Sequence, residues 1–322
     1  MRWMQLPEFS LIIPVYQVKD YLVECLESVF CQIPAEVQVI LVDDGSTDGS
    51  GETCDQYAQK YPQIEVIHQR NQGVAAARNA GLAAAKGEYL LWVDPDDWVS
   101  ENWYRTIKDA VVRMHPDILV FDYDEVENEN VRSKKYGRDK GFVDKEEFLN
   151  DVIRDIRMNS SLWNKVIRRA LFDGITFDEK LRCLEDYAIL HKVIMKSDSV
   201  AYIPLLLYHY RIRFSGLVRT INLDVSYQSY EVALRRKAEI EATGRKCDSM
   251  GCVLQARGFC RNYYLLKSPK AFWGQFQKCK MQIQKNFFEI LLEKELSIMD
   301  RLKLFFISFS KLGSLYFKEK SK

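Results

Sequence analysis

The chain has no C-x-x-C pair among its eight cysteines and only four histidines, so the usual ligand spacings of a structural zinc site are missing. It has no run of 18 uncharged apolar residues, which excludes a membrane-crossing helix of ordinary length. Its opening, MRWMQLPEFSLIIPVY, puts Pro7 and Glu8 where a secretory leader needs an unbroken apolar core. Two glycine-rich phosphate cradles are absent: G-x-G-x-x-G opening a helix, which serves dinucleotides, and G-x-x-x-x-G-K-[ST], which serves nucleoside triphosphatases. Charge of either sign is not in excess, since 46 Lys and Arg against 45 Asp and Glu leave +1. No basic stretch is interleaved with aromatics near a plausible base-reading element, so nothing in the charge calls for nucleic acid. Repeats and low-complexity tracts are also missing. Thiols without a pairing pattern fit a reduced, cytoplasmic protein.

What is present is apolar material, 47% of 322 residues, enough for one large domain or two modest ones. The first 120 residues alternate short apolar runs with helical periodicity. FSLIIPV (9–15), VQVILV (37–42), IEVI (64–67), EYLLWV (88–93) and DILVF (117–121) read as strands. Helices are expected over 19–31, after DDGSTDGS, over 73–85 and over 103–114. Cys25 falls on the apolar face of the first of these, an ordinary place for a small thiol. Strands too apolar for a one-sided sheet, separated by helices, indicate an α/β fold with both sheet faces covered. Segment 122–147 is dense in charge and reads as a solvated excursion. SLWNKVIRRALF (161–172) has its apolar positions on a helical stripe. A helix is expected over 186–196, and VAYIPLLLYHYRIR (200–213) reads as strand, turn at Pro204, strand. From about residue 222 the chain turns helical, over 224–242, 248–266 and 272–296.

The final stretch, 301–322, carries six basic side chains against the single acid Glu319, with Leu304, Phe305, Phe306, Phe309, Leu312 and Phe317 between them. That pattern suits peripheral association with an anionic membrane surface. Packing on the helical region, or a subunit interface in a homo-oligomer, is the alternative.

In open α/β sheets, ligands bind beyond the carboxyl ends of the strands. Two acidic clusters lie at such ends: Asp43 and Asp44 after the second strand, and Asp94, Asp96 and Asp97 after the fourth. Like charges this close raise one another's pKa unless solvent or a cation offsets the repulsion. The stretch LLWVDPDDWVS is therefore either a wet turn or a cation site. Carboxylate oxygen suits Mg²⁺ or Mn²⁺, which commonly bridge to phosphate instead of filling a cage made wholly of protein. With no glycine-rich cradle, a pyrophosphate would depend on such an ion and on basic groups such as Arg78.

Several motifs in order, SLIIPVY, VDDGSTDGS, NQGVAAARNAGLAAAKGEYLLWVDPDDW, LWNKVIRRALF, CLEDYAILHKVI and YHYR with Ser215 close behind, resemble glycosyltransferase family 2 over residues 9–216. The pattern is most similar to bacterial enzymes that build capsular, exopolysaccharide or surface-glycan chains. The resemblance implies the GT-A fold, a mostly parallel mixed sheet flanked by helices, as a catalytic domain over 1–220, with a helical C-terminal region over 221–322. It implies an inverting transferase that takes a nucleotide sugar, most often a UDP-sugar, with Mn²⁺ or Mg²⁺, and a glycan or lipid-linked glycan acceptor. Pro14 and Tyr16 would border the nucleotide, and Asp44, with Asp43 as the alternative, would hydrogen-bond the base. Arg78 would lie along the nucleotide side of the cleft. Asp94 would reach the ribose and Asp96 would hold the metal, with Asp97 supporting it from behind. Asp186 in LEDY matches the catalytic base, with Glu185 beside it. Trp163 is expected beneath the cleft, Arg211 is a candidate for the leaving diphosphate, and His68 reads as an ordinary surface residue.

Two other readings stand beside this one. A noncatalytic glycan-assembly subunit could keep the fold, and a nucleotidyltransferase also grips nucleotides with a metal, though IIPVYQVKDY offers no phosphate-gripping glycines. A glycosidase is disfavoured because no paired acid and base is marked.

Overall fold

A computed structural model describes residues 9–155, 157–181, 183–213, 222–293 and 296–308. The first half runs β1 (Phe9–Val15), α1 (Lys19–Phe30), β2 (Gln38–Asp43), α2 (Ser50–Lys60), β3 (Ile64–His68), α3 (Val74–Ala84), β4 (Tyr89–Trp92), β5 (Trp98–Val99) and α4 (Trp103–Met114). It continues with β6 (Ile118–Glu127), β7 (Asn130–Lys134), β8 (Gly141–Val143), α5 (Lys145–Arg154), β9 (Lys165–Arg168), a 3-10 turn (Arg169–Phe172), α6 (Glu185–Lys196) and β10 (Val200–Arg211). The remainder is helical: α7 (Leu223–Glu241), α8 (Met250–Leu265), α9 (Trp273–Lys285), α10 (Phe287–Leu292) and α11 (Ile298–Ser308). The chain divides into two compact units, residues 1–149 with 160–214, and residues 150–159 with 215–322.

The first unit is built on one mixed sheet in the order β3-β2-β1-β4-β9-β6-β10-β5, with β7 added to β6 and β8 to β10. The strands β3, β2, β1 and β4 are mutually parallel, so their carboxyl ends finish on one edge. Every residue of β1 is buried, which accounts for its continuous apolar run. α1 buries Leu22, Cys25, Leu26, Val29 and Phe30, at roughly 1.5–3 kcal/mol for each large apolar side chain removed from water. A Cβ on Gly81 would stand 2.4 Å from Ile12 Cγ2, so only glycine lets α3 lie this close to β1.

Two expectations are corrected. Residues 161–172 do not form an α-helix. Lys165–Arg168 is a strand lying antiparallel between β4 and β6, because the apolar positions Val166 and Ile167 fill the middle of the sheet there. The turn at Pro204 does not occur either. β10 is one strand, and its register against β6 shifts between Ile203 and Leu206 and again before Tyr208, an irregularity that absorbs the missing proline N–H. The charged segment 122–147 is largely solvated, as expected, with β7 exposed along its whole length, and it is built as the end of β6, the β7 hairpin arm, β8 and the start of α5.

The second unit packs α7, α8, α9, α10 and α11 around Tyr230, Val253, Phe259, Tyr263, Phe276 and Ile283. Among the described residues no helix is long and apolar enough to cross a membrane. Of the basic tail, 301–308 completes α11, whereas 309–322 lies outside the described residues, as does Ser215.

Candidate functional site

The site grows from the parallel edge. Val15 pairs with Asp43, and Ile12 with Trp92, which sets the turns after β1, β2 and β4 side by side. Pro14 is buried at the end of β1, whereas Tyr16 is exposed on the lip. The turns after β1 and β2 are tied together: Gln17 Nε2 donates to Thr47 Oγ1 at 2.9 Å. The buried Asp43 accepts from Ser46 N at 2.9 Å and faces His68 Nδ1 at 2.9 Å, and His68 Nε2 faces Asp55 at 3.0 Å. His68 is on the surface, as expected, and it bridges these two carboxylates. Hydrogen bonding to Asp43, then to Asp55, raises its pKa and favours the imidazolium. Asp44 is also buried, and accepts from Gln69 Nε2, Gln72 N and Gly73 N at 2.7–2.9 Å. Those three bonds fix the loop before α3 and fill three of the carboxylate's roughly four acceptor directions.

The acidic turn after β4 is stitched to the end of β10. Asp94 N donates to Tyr208 Oη at 3.0 Å, and that hydroxyl donates to Asp97 Oδ2 at 2.8 Å. Asp97 Oδ1 accepts from Arg211 N at 2.7 Å, and Arg211 Nε donates to the Asp96 carbonyl at 2.8 Å. Asp97 is 1% exposed. Burial first, then the charges of Asp96 and Asp94, push its pKa well up. Asp96 is raised by burial and by Asp94, while Arg213, whose Nη2 lies 2.6 Å from Asp96 Oδ2, opposes the shift. Arg211 also pairs with Glu24 at 2.6 Å and lies over the rings of Trp98 and Tyr21. Arg213 and Arg211 offset part of the repulsion at Asp96, so the turn is neither simply wet nor bare.

Arg78, buried on α3, links this turn to α6. Its Nη2 lies 3.0 Å from Asp94 Oδ1, and its Nη1 pairs with the buried Glu185. Asp186, next in the chain, keeps part of its surface exposed and accepts from Tyr187 N at 2.6 Å. Burial raises its pKa, Arg78 opposes that shift, Asp94 adds to it and Lys165 opposes it. Asp186 therefore lies within electrostatic reach of Arg78, Asp94 and Lys165. Leu184, immediately before the pair, has φ of 65°, a left-handed conformation uncommon for a branched side chain. It sets the direction in which α6 starts and hence where Glu185 and Asp186 project. Trp163 stacks on Tyr208 at 4.6 Å and Tyr210 at 5.7 Å, buried beneath the acidic turn.

Among the described residues no group of three or more His, Cys, Asp or Glu is arranged to hold a metal alone. The Asp96 carboxylate by itself falls short of a cage; as an oxygen donor it would suit a hard divalent ion that takes its remaining positions from phosphate.

The family profile described as Glycosyl transferase family 2 matches residues 10–176. Glycosyltransferase GlyG of Streptococcus pneumoniae serotype 4 is 34% identical over 227 residues, 68% of this chain and 75% of GlyG. The chain belongs to glycosyltransferase family 2. The cholesterol galactosyltransferase of Borreliella burgdorferi is 25% identical over 311 residues, 91% of this chain and 83% of that protein. Another S. pneumoniae relative is matched over only 32% of its length. The crystal structure of S. aureus TarS 1-349 in complex with UDP-GlcNAc superposes with a TM-score of 0.69 at 21% identity, covering 98% of this chain and 91% of that one. This likeness carries the GT-A fold: a mixed sheet flanked by helices, followed by C-terminal helices. As a family 2 member the protein is a transferase enzyme, which sets aside the noncatalytic and nucleotidyltransferase readings.

Of the candidate residues, Arg78, Asp94 and Asp186 fall into one electrostatic cluster, Asp96 is joined to it through the turn, and Asp43 and Asp44 lie at the neighbouring strand end. Sequence reasoning missed Tyr208 as the organiser of the acidic turn, Arg213 as the partner of Asp96, and the Arg78–Glu185 pair. Only the last had a signal, the second acid of LEDY placed next to an expected base.

Proposed function

We propose that this glycosyltransferase moves a hexose or N-acetylhexosamine from a UDP-sugar to a hydroxyl of a surface-glycan or lipid-linked acceptor, with inversion at the anomeric carbon. Residues 1–220 would form the catalytic domain and 221–322 the helical region. The uridine reading is supported by TarS, whose crystal holds UDP-GlcNAc. The lipid-linked acceptor is supported by the relative named for cholesterol, which matches 91% of this chain. Eight free thiols support work on the cytoplasmic side.

In this reading Pro14 and Tyr16 border the nucleotide, Asp44 meets the base with its remaining acceptor direction, and Asp43 is the alternative. Arg78 lies along the nucleotide side, Asp94 faces the ribose, and Asp96 holds Mn²⁺ or Mg²⁺. When bound, the ion supplies Lewis-acid stabilisation of the departing diphosphate. Asp186 accepts the acceptor hydroxyl's proton as that oxygen attacks C1. The bond from C1 to the diphosphate oxygen breaks, and its electron pair leaves with UDP. A single displacement turns an α-linked donor into a β-linked product.

The observation that carries the proposal is the double grip of Arg78 on Asp94 and Glu185, which ties the acidic turn after β4 to the start of α6, where Asp186 lies. A panel of UDP-, GDP- and dTDP-sugars, assayed for slow hydrolysis with Mn²⁺, tests it. Turnover of UDP-sugars above the rest is expected, and preference for another nucleotide overturns the donor assignment.

A further inference from the structure

Residues 249–288, which span α8, the turn after it and α9, contain seven Lys and Arg and no Asp or Glu. Arg257 is paired with Asp300, as Lys237 is with Glu241 and Lys303 with Asp300. In contrast, no described residue makes an ion pair or a side-chain hydrogen bond with Lys267, Lys270, Lys278, Lys280 or Lys285. α9 sends Phe276, Cys279 and Ile283 into the helical core. Its outer side carries Trp273, Lys278, Met281 and Lys285, all exposed, with Lys270 in the 3-10 turn just before it. A helix facing water keeps that side polar. Here Trp273 is 53% and Met281 57% exposed, although the Trp273 ring packs on Phe276 at 5.6 Å. A Cβ added at Gly274 meets nothing within 4 Å, so no described residue covers the face there. Glu231 of α7 lines a groove with Lys278 and Lys285, and the lysines still outnumber it.

We propose that the outer face of α9, with the lysine-bearing turn that leads into it, is a docking surface for an anionic lipid bilayer. Charge complementarity names the sign of the occupant: cations with no acid of their own need negative charge from outside. The apolar groups between them name its kind. A soluble polyanion, a phosphate-bearing glycan included, would answer the lysines and leave Met281 and the Trp273 ring in water. Anionic headgroups above acyl chains answer both. The indole sits at the boundary with its N–H toward the headgroups, and the lysine stems lie along the apolar layer with their ammonium ends outward. Contact is superficial, since no described helix can cross the bilayer. The inference concerns lipid binding alone and does not depend on the donor sugar.

The test is co-sedimentation of the full chain with vesicles of phosphatidylcholine and with vesicles of equal parts phosphatidylcholine and phosphatidylglycerol. Binding is expected to the second kind and to weaken as salt is raised. Lys278→Gln with Lys285→Gln should bind these vesicles about tenfold more weakly at an unchanged melting temperature. Lys135→Gln with Lys140→Gln, a pair equally exposed in the first unit, should bind as wild type does. Vesicle binding should also move tryptophan emission to the blue, and Trp273→Phe should lose most of that movement. Absence of wild-type binding to the anionic vesicles overturns the proposal, as does undiminished binding by the Lys278 and Lys285 variant. A blue shift fully kept in Trp273→Phe places the contact elsewhere and overturns it. Wild-type binding to soluble polyphosphate, without binding to either vesicle, assigns the lysines to a polyanion and overturns it too.

Discussion

Arg78 Nη2 stands 3.0 Å from Asp94 Oδ1, joining two residues that lie 16 positions apart on α3 and on the turn after β4. The same guanidinium pairs with Glu185, so a single buried cation joins the proposed donor side of the cleft to the proposed base side. Arg78 also opposes the upward shift of the Asp186 pKa. With Arg78→Gln that opposition is gone and the Asp186 carboxyl stays protonated to higher pH. Transfer at neutral pH should fall by about tenfold or more, and the acid limb of the kcat/KM profile should move to higher pH. An unmoved acid limb would show that Arg78 does not set the protonation of Asp186.

Tyr208 offers a test of the turn itself. Its hydroxyl accepts a hydrogen bond from the Asp94 N–H and donates one to buried Asp97, so Tyr208→Phe leaves both groups short of a partner. Unsatisfied buried groups of this kind cost about 1–3 kcal/mol each. The expected outcome is a lower melting temperature together with weaker UDP binding by calorimetry. Lower stability with unchanged UDP affinity would confine Tyr208 to the core.

Arg213 holds Asp96 at 2.6 Å, where the proposal puts a divalent ion. Arg213→Gln removes that competition, and the variant should bind Mn²⁺ alone about tenfold more tightly by titration, a difference of about 1.4 kcal/mol. Asp96→Ala should abolish metal-dependent UDP binding. Identical Mn²⁺ titrations for wild type and Arg213→Gln would mean that the ion and the arginine do not share the carboxylate.

The bridge from Asp43 through His68 to Asp55 gives a pH dependence of stability with a defined sign. The folded-state pKa of His68 is raised, chiefly by Asp43, so the stabilisation is fully present below its unfolded value near 6.5 and is lost as pH rises through the folded value. Half the ring is in water, which limits the effect to about 1 kcal/mol. His68→Gln should melt a few degrees below wild type at about pH 6, and the gap should close by about pH 9. A gap that stays constant across this range would remove the charged bridge from the account.

Much of this was legible in the sequence because buried parallel strands advertise themselves. FSLIIPV, VQVILV and EYLLWV are too apolar for any surface, and the acids at their ends had to stand at the carboxyl edge. Residues 161–172 misled because Val166 and Ile167 satisfy a helical stripe as well as a strand, and only the gap between β4 and β6 decides the matter. Pro204 spoke for a turn, but an irregular register accommodates it. The Tyr208–Asp97 bond spans 111 positions, and the Arg213–Asp96 pair is comparably remote, so no local pattern could announce either.

The central claim is that Asp186 takes the acceptor's proton, and the most direct measurement compares UDP affinity with sugar transfer in Asp186→Asn. The variant keeps the shape and the hydrogen bond from Tyr187 but cannot act as a base. UDP affinity close to wild type with transfer reduced by about 10²-fold or more is the predicted result. Wild-type rates of transfer in that variant would contradict the account.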